Sequence, residues 1–274
     1  MTWLTGGHDN WFSISLEDPS FQLQFNRRAQ TLYSEFTQAA DVAVRLLYQD
    51  WKHRPLYLAM SGGIDSEFVA DTLYRNNIPF IPIILKIENF NCHESWYADY
   101  WCYQHHVQPV VLEYSMPMFL DAMVRFFPML TKIKQNAQTP MLIIYDWVTQ
   151  QNGHCIYGAG DINLKENQFY CSCLDFISNI IYQDRHPTSF FMYTAELALS
   201  YISKFDIALD EQYNKLSFYG VSPRPKIDYI SSFDNNADFI ALRSKLCYVC
   251  KYPNNYNTYH WYGTQQQIIQ NLQP

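Results

Sequence analysis

Charge is scarce in this sequence. Only 16% of its 274 residues are Asp, Glu, Lys or Arg, and the formal net charge is −7. A net-acidic chain has no general attraction for a polyanion, which counts against nucleic acid as substrate or partner. No uninterrupted apolar run is long enough to cross a bilayer, so no membrane partner is expected. The opening residues Met1-Thr2-Trp3-Leu4-Thr5-Gly6-Gly7-His8 lack the basic stretch and apolar core of a signal peptide. The seven cysteines are an odd number. A reducing, cytoplasmic compartment is therefore expected, with thiols free or bound to metal. No internal repeat is evident.

Hydrophobic residues are plentiful at 48%, which excludes a mainly disordered chain. Aromatics reach 17%, with 22 Tyr, and suit a subunit interface or a broad substrate cleft, so a homodimer is expected over a monomer. The length allows one large domain or a domain with an appendage.

The period of the apolar residues sets out the elements. Trp11 to Leu16 alternates as a half-buried strand. From Arg27 to Trp51 apolar residues recur at three and four, the stripe of an amphipathic helix. Leu56–Met60 and Phe80–Leu85 read as buried strands, although Pro82 argues against a central place for the second, and Val110–Leu112 and His154–Tyr157 read as a third and a fourth strand. Helices are expected from Ser66, over Glu94–His106, from Met118 to about Lys134, and from Thr139-Pro140 to Val148. Strands alternating with helices indicate an open parallel α/β sheet with helices on both faces. Beyond Asp161 the pattern loosens into an irregular or helical appendage, with one good helix over Phe190–Ile202 and a fraying terminal helix from Gln265. The organisation expected is a lead over 1–26, a nucleotide-binding domain over 27–165 and a substrate-binding or oligomerisation region over 166–274.

Between the first central strand and its helix lies Ser61-Gly62-Gly63-Ile64-Asp65-Ser66. Two glycines allow a sharp turn and leave no Cβ between the backbone and a ligand. Two serine hydroxyls and the positive end of a new helix suit a phosphate chain. A carboxylate beside phosphates is repelled unless a cation intervenes, so Asp65 is expected to carry Mg²⁺. The bland alternative is a glycine turn followed by an Asp/Ser helix start.

This stretch resembles the S-G-G-x-D-S signature of the PP-loop, or N-type ATP pyrophosphatase, superfamily of adenine nucleotide alpha hydrolase-like proteins. The G-K-[ST] ending of a Walker A loop and the G-x-G-x-x-G of dinucleotide binders are absent. Thr139-Pro140 through Gly158-Ala159-Gly160-Asp161 is similar to the second turn of asparagine synthetase-like members, and the resemblance covers roughly residues 30–165. It implies ATP cleaved to AMP and pyrophosphate. Asp65 and Asp161 would hold Mg²⁺, while Ser61, Gly62, Gly63, Ser66, Gly158 and Gly160 would hold phosphates. The backbones of Leu58 and Leu85 would face adenine, and Lys165 would support developing negative charge unless it is a solvated loop lysine. Two departures stand out: Thr2 occupies the place of the family's glutaminase cysteine, and Ile162 follows Asp161 where the family has Glu.

The implied function is an adenylating ligase that couples an activated small molecule to ammonia or an amine. One alternative is sulfur transfer by Cys247 and Cys250, another a nucleotide-binding module without turnover. Cys171, Cys173, Cys247 and Cys250 supply four thiolates, enough for zinc, but redox or persulfide chemistry and ordinary half-buried cysteine compete with it. His105-His106, near Cys92, His93 and Cys102, reads as a polar helix end rather than a metal site. Tyr193 and Glu196 fit either a substrate cleft or a capping role, and Arg224 and Lys226 either an anion site or a solvated loop.

Overall fold

A computed structural model of the chain describes residues 3–15, 23–88, 91–133, 139–159, 162–172, 187–209, 211–220 and 259–274. Three strands, β1 (Trp3–Gly6), β2 (Phe12–Ser15) and β3 (Gln24–Phe25), form an antiparallel lead sheet. Helix α1 (Phe36–Trp51) follows. Then come β4 (Leu56–Ala59), α2 (Ile64–Arg75), β5 (Ile81–Ile87), α3 (Cys92–Gln104), β6 (Val110–Tyr114), α4 (Met116–Ile133), α5 (Thr139–Gln150) and β7 (His154–Tyr157). Beyond them lie β8 (Ile162–Lys165), β9 (Gln168–Ser172), β10 (Thr188–Ser189), α6 (Ala195–Lys204), α7 (Glu211–Tyr219), β11 (Tyr259–Gly263) and α8 (Gln265–Leu272).

Among the described residues the central sheet has five parallel strands in the order β10-β7-β4-β5-β6. Its strands alternate strictly between two cores. Leu56, Leu58, Ile84 and Ile156 face a core built with α1, α2, α3 and α6, whereas Tyr57, Ile83, Leu85, Cys155 and Tyr157 face one built with α4 and α5. Helices thus cover both faces, the arrangement expected for an all-parallel sheet. The first core also takes in Trp11 and Phe12 of the lead and Ile268 and Leu272 of α8, so side chains from all three stretches of the chain share it.

Several elements differ from the sequence reading. Pro82 lies in a central strand after all, opposite Leu58 of β4; pairing with β6 begins only at Ile83–Val110, so no ladder partner on that side needs its missing N–H. The first helix starts at Phe36 rather than Arg27. Residues 27–35 are drawn out instead by tertiary partners: Ala29 N–H donates to the Leu272 carbonyl, and Arg27 and the Gln30 amide donate to Glu196. Burial by itself raises the Glu196 pKa, but the Gln30 amide and Arg27 guanidinium outweigh it, so this carboxyl is held below the usual range.

The expected helix over Phe190–Ile202 is interrupted. Phe190–Met192 is a single 3-10 turn, and α6 begins afresh because the Thr194 hydroxyl accepts the Leu197 N–H at 3.1 Å as an N-cap. The stretch after Asp161 holds strand pairing the sequence did not announce: β8 and β9 form a hairpin around Glu166-Asn167, both at positive φ, and β10 completes the central sheet. The terminal helix does not fray. Thr264 and Gln267 close a capping box at its start, and Ile268 and Leu272 are fully buried. No described helix is long and apolar enough to cross a membrane.

Candidate functional site

Strand order locates the site. From β4 the chain winds through β5 to β6, then returns through α4 and α5 to place β7 on the other side of β4. The carboxyl ends of β4 and β7 therefore flank a switch point, where open α/β sheets form a crevice. Ser61–Ser66 leaves β4 there, and Gly158 leaves β7. The two meet: a Cβ on Gly158 would lie 2.7 Å from the Ser66 nitrogen.

The first turn is held by its own side chains. Gly63 N–H donates to Ser61 Oγ at 3.2 Å, and Ser66 Oγ donates to the Gly63 carbonyl at 2.9 Å. Gly62 has φ 91°, and a Cβ there would lie 1.9 Å from the Glu94 carbonyl oxygen of α3, so only glycine permits this approach. Gly63 precedes α2 with no side-chain cap bond, leaving the helix's positive end facing the crevice.

Asp65, in the first turn of α2, does not stand alone. Its Oδ1 accepts the Tyr219 hydroxyl at 2.7 Å and its Oδ2 lies 3.4 Å from Lys215 Nζ. Both partners come from α7, four residues apart and so on one helical face. Lys215 is 6% exposed and Tyr219 5%. Helix α7 is fixed above the turn by aromatic packing, with the Tyr219 ring stacked on Phe68 at 4.4 Å. Gly220, at φ 66°, ends the helix. Next to the turn, a cleft of about 440 Å³ lies at the carboxyl ends of β5 and β6, lined by Lys86, Glu88, Asn91, Ser95, Glu113 and Ser115 among others. Ser95 adjoins the Glu94 carbonyl that touches Gly62, so cleft and turn are neighbours.

The structure brings together Ser61, Gly62, Gly63, Asp65, Ser66 and Gly158 of the sequence-predicted set. Gly160 and Asp161 lie outside the described residues. Leu58 sits within β4 between Pro82 and Ile156, and Leu85 within β5 opposite Leu112. Lys165 ends β8 beside the hairpin turn and is exposed. Sequence reasoning missed Lys215 and Tyr219: their spacing in Asn214-Lys215-Leu216-Ser217-Phe218-Tyr219 marks one helical face, but nothing ties it to a turn 150 residues earlier.

These residues fit a phosphate chain, with backbone glycines, hydroxyls, a helix start and an ammonium in one place. They do not fit Mg²⁺ at Asp65 equally well. Both carboxylate oxygens are already engaged, one of them by a cation.

Among the remaining candidates, Cys173, Cys247, Cys250, Arg224 and Lys226 lie outside the described residues, as does the side chain of Cys171. No cluster able to hold a metal is found among the described residues. His105 ends α3 stacked on Trp101 at 4.1 Å, with its Nδ1 2.8 Å from the Trp101 carbonyl. Burial, with the Asp99 charge second, pushes the Cys102 thiol up to about 11, so it stays protonated. Tyr193 donates to Asp50 and Glu196 accepts from Arg27 and Gln30, both structural tasks.

No family model and no curated protein matches the chain. Solved structures do. An NMN synthetase from Francisella tularensis matches at 18% identity and TM-score 0.35, over 45% of this chain and 54% of that one. An ammonia-dependent NAD synthetase from Campylobacter jejuni matches at 16% identity and TM-score 0.39, over 78% and 94%. An NAD synthetase from Burkholderia pseudomallei matches at 11% and 0.35, over 80% and 94%. Likeness this loose says nothing of what the chain acts on.

Proposed function

We propose that the chain is an ATP-dependent adenylating ligase that cleaves ATP to AMP and pyrophosphate and couples an activated small molecule to ammonia or an amine. The observation that carries this reading is the meeting of the Ser61–Ser66 turn with Gly158 at the switch point, where a Cβ on Gly158 would lie 2.7 Å from the Ser66 nitrogen. A substrate oxygen attacks the α-phosphorus, the bond from that phosphorus to the bridging oxygen breaks, and pyrophosphate leaves. The amine then displaces AMP from the activated carbon. The turn's part is positioning and charge: the helix start and the exposed Ser61 hydroxyl face the charge that builds on pyrophosphate, while the Ser66 hydroxyl holds the turn through the Gly63 carbonyl. In this reading Gly160 and Asp161, which directly follow Ala159 in sequence, also serve the phosphates and their metal, and Lys165 supplies a further cation. Adenine would rest on the backbones of Leu58 and Leu85, and the acceptor in the cleft lined by Asn91, Ser95 and Ser115.

Incubation with α-labelled ATP and pools of amino acids, nucleobases, ammonia and metabolites tests the reading. AMP and pyrophosphate are expected from one pool, and neither from Asp65→Asn. ATP binding without AMP from any pool would replace the ligase with a nucleotide-binding module. Preference for ATP over GTP checks the base contact, and sedimentation velocity checks the expected homodimer.

A further inference from the structure

Lys215 is placed by more than its own ion pair. Asn214 ties the start of α7 to the preceding loop: its Oδ1 accepts the Asp206 N–H at 2.9 Å, and its Nδ2 donates to the carbonyls of Asp206 at 2.9 Å and Leu209 at 3.3 Å. At the far end Phe218 packs on Tyr201 at 5.3 Å and Tyr219 on Phe68. Between these anchors the Lys215 side chain is 7% exposed, with its ammonium 3.4 Å from Asp65 Oδ2. A cation taken out of water is retained only where an anion faces it. A divalent ion on the same carboxylate would sit within a few ångströms of this ammonium and be repelled by it.

We propose that Lys215, rather than a divalent ion, is the resident cation of Asp65, and that phosphates bind the Ser61–Ser66 turn without metal on that carboxylate. The inference rests on the reading of this turn as a phosphate site. Asp65 then orients Lys215, with Tyr219 holding the other carboxylate oxygen, and the ammonium offsets the Asp65 charge that would otherwise repel phosphates at the turn.

The test is calorimetric titration of the full chain with α,β-methylene-ATP, in EDTA and in Mg²⁺. The two dissociation constants are expected within about tenfold of each other. Lys215→Met is expected to lose at least about tenfold in EDTA, with Lys215→Arg retaining the affinity. Binding only in Mg²⁺ overturns the inference and leaves the phosphate-site reading standing; no binding in either buffer removes both. Undiminished EDTA affinity in a folded Lys215→Met protein also overturns it. The wild-type comparison decides even if that variant does not fold.

Discussion

Two aspartates in this protein have closely similar company. Asp65 takes a tyrosine hydroxyl from Tyr219 and an ammonium from Lys215, and Asp50 takes one from Tyr193 together with the His8 Nδ1 at 2.9 Å. Each cluster lies beside a glycine at positive φ, Gly62 at 91° and Gly7 at 74°. Their backbone settings differ. Asp65 opens a twelve-residue helix at the switch point between β4 and β7, whereas Asp50 sits near the end of α1, against the edge strand β10. Side chains of similar chemistry hold the lead to the body in one place and surround the glycine-serine turn in the other. The donors that distinguish the two belong to the main chain.

The comparison breaks most sharply at Gly62. Gly62→Ala puts a methyl into the Glu94 carbonyl and an L-residue at φ 91°, and is expected to cost about 3 kcal/mol in urea unfolding and to abolish nucleotide binding. Next comes an exchange of roles. Asp50→Asn is expected to destabilise by about 2 kcal/mol while nucleotide affinity survives, since a neutral amide oxygen replaces the carboxylate that both His8 and Tyr193 contact. Equal loss of affinity in Asp50→Asn and Asp65→Asn would erase the distinction.

The two tyrosines give a smaller and paired effect. Tyr219→Phe and Tyr193→Phe each remove one bond to a carboxylate while keeping the ring, at about 1–2 kcal/mol. They separate by pH. Burial first, and the Asp50 contact second, hold the Tyr193 pKa far above its ordinary value, so the folded state keeps this proton when the unfolded chain would release it. Its contribution is present below the usual tyrosine pKa of about 10 and is lost as pH rises beyond it. Unfolding free energy should therefore fall above that pH in the wild type and fall less steeply in Tyr193→Phe. The smallest effect belongs to the other lysine. Lys165 is exposed beside a hairpin turn, so Lys165→Ala should change stability by no more than about 0.5 kcal/mol, and any loss of AMP formation in that variant would be catalytic in origin.

How much was legible follows the reach of each interaction. The Ser61–Ser66 turn was readable because strand, glycines, hydroxyls and helix start are contiguous. Strands β4, β5 and β7 were readable because burial on both faces leaves apolar runs, and the half-exposed edge strand β6 by its short run Val110–Leu112. Strand β10 was not, since two residues carry no period. The start of α1 was misplaced because the apolar stripe from Ala29 to Phe36 continues in sequence while Glu196 and Leu272 claim its backbone in space.

The sequence by itself determined that a parallel sheet would form with a glycine-serine turn at the end of its first central strand, because those choices depend on local period and local backbone freedom. Only the tertiary structure decided how closely Gly158, already expected at the same site, would approach that turn and which cation would face Asp65. Gly158 and Lys215 lie 92 and 149 positions away from Ser66, and partners at such separations are selected by how the helices pack across the sheet, a property that no window of sequence contains.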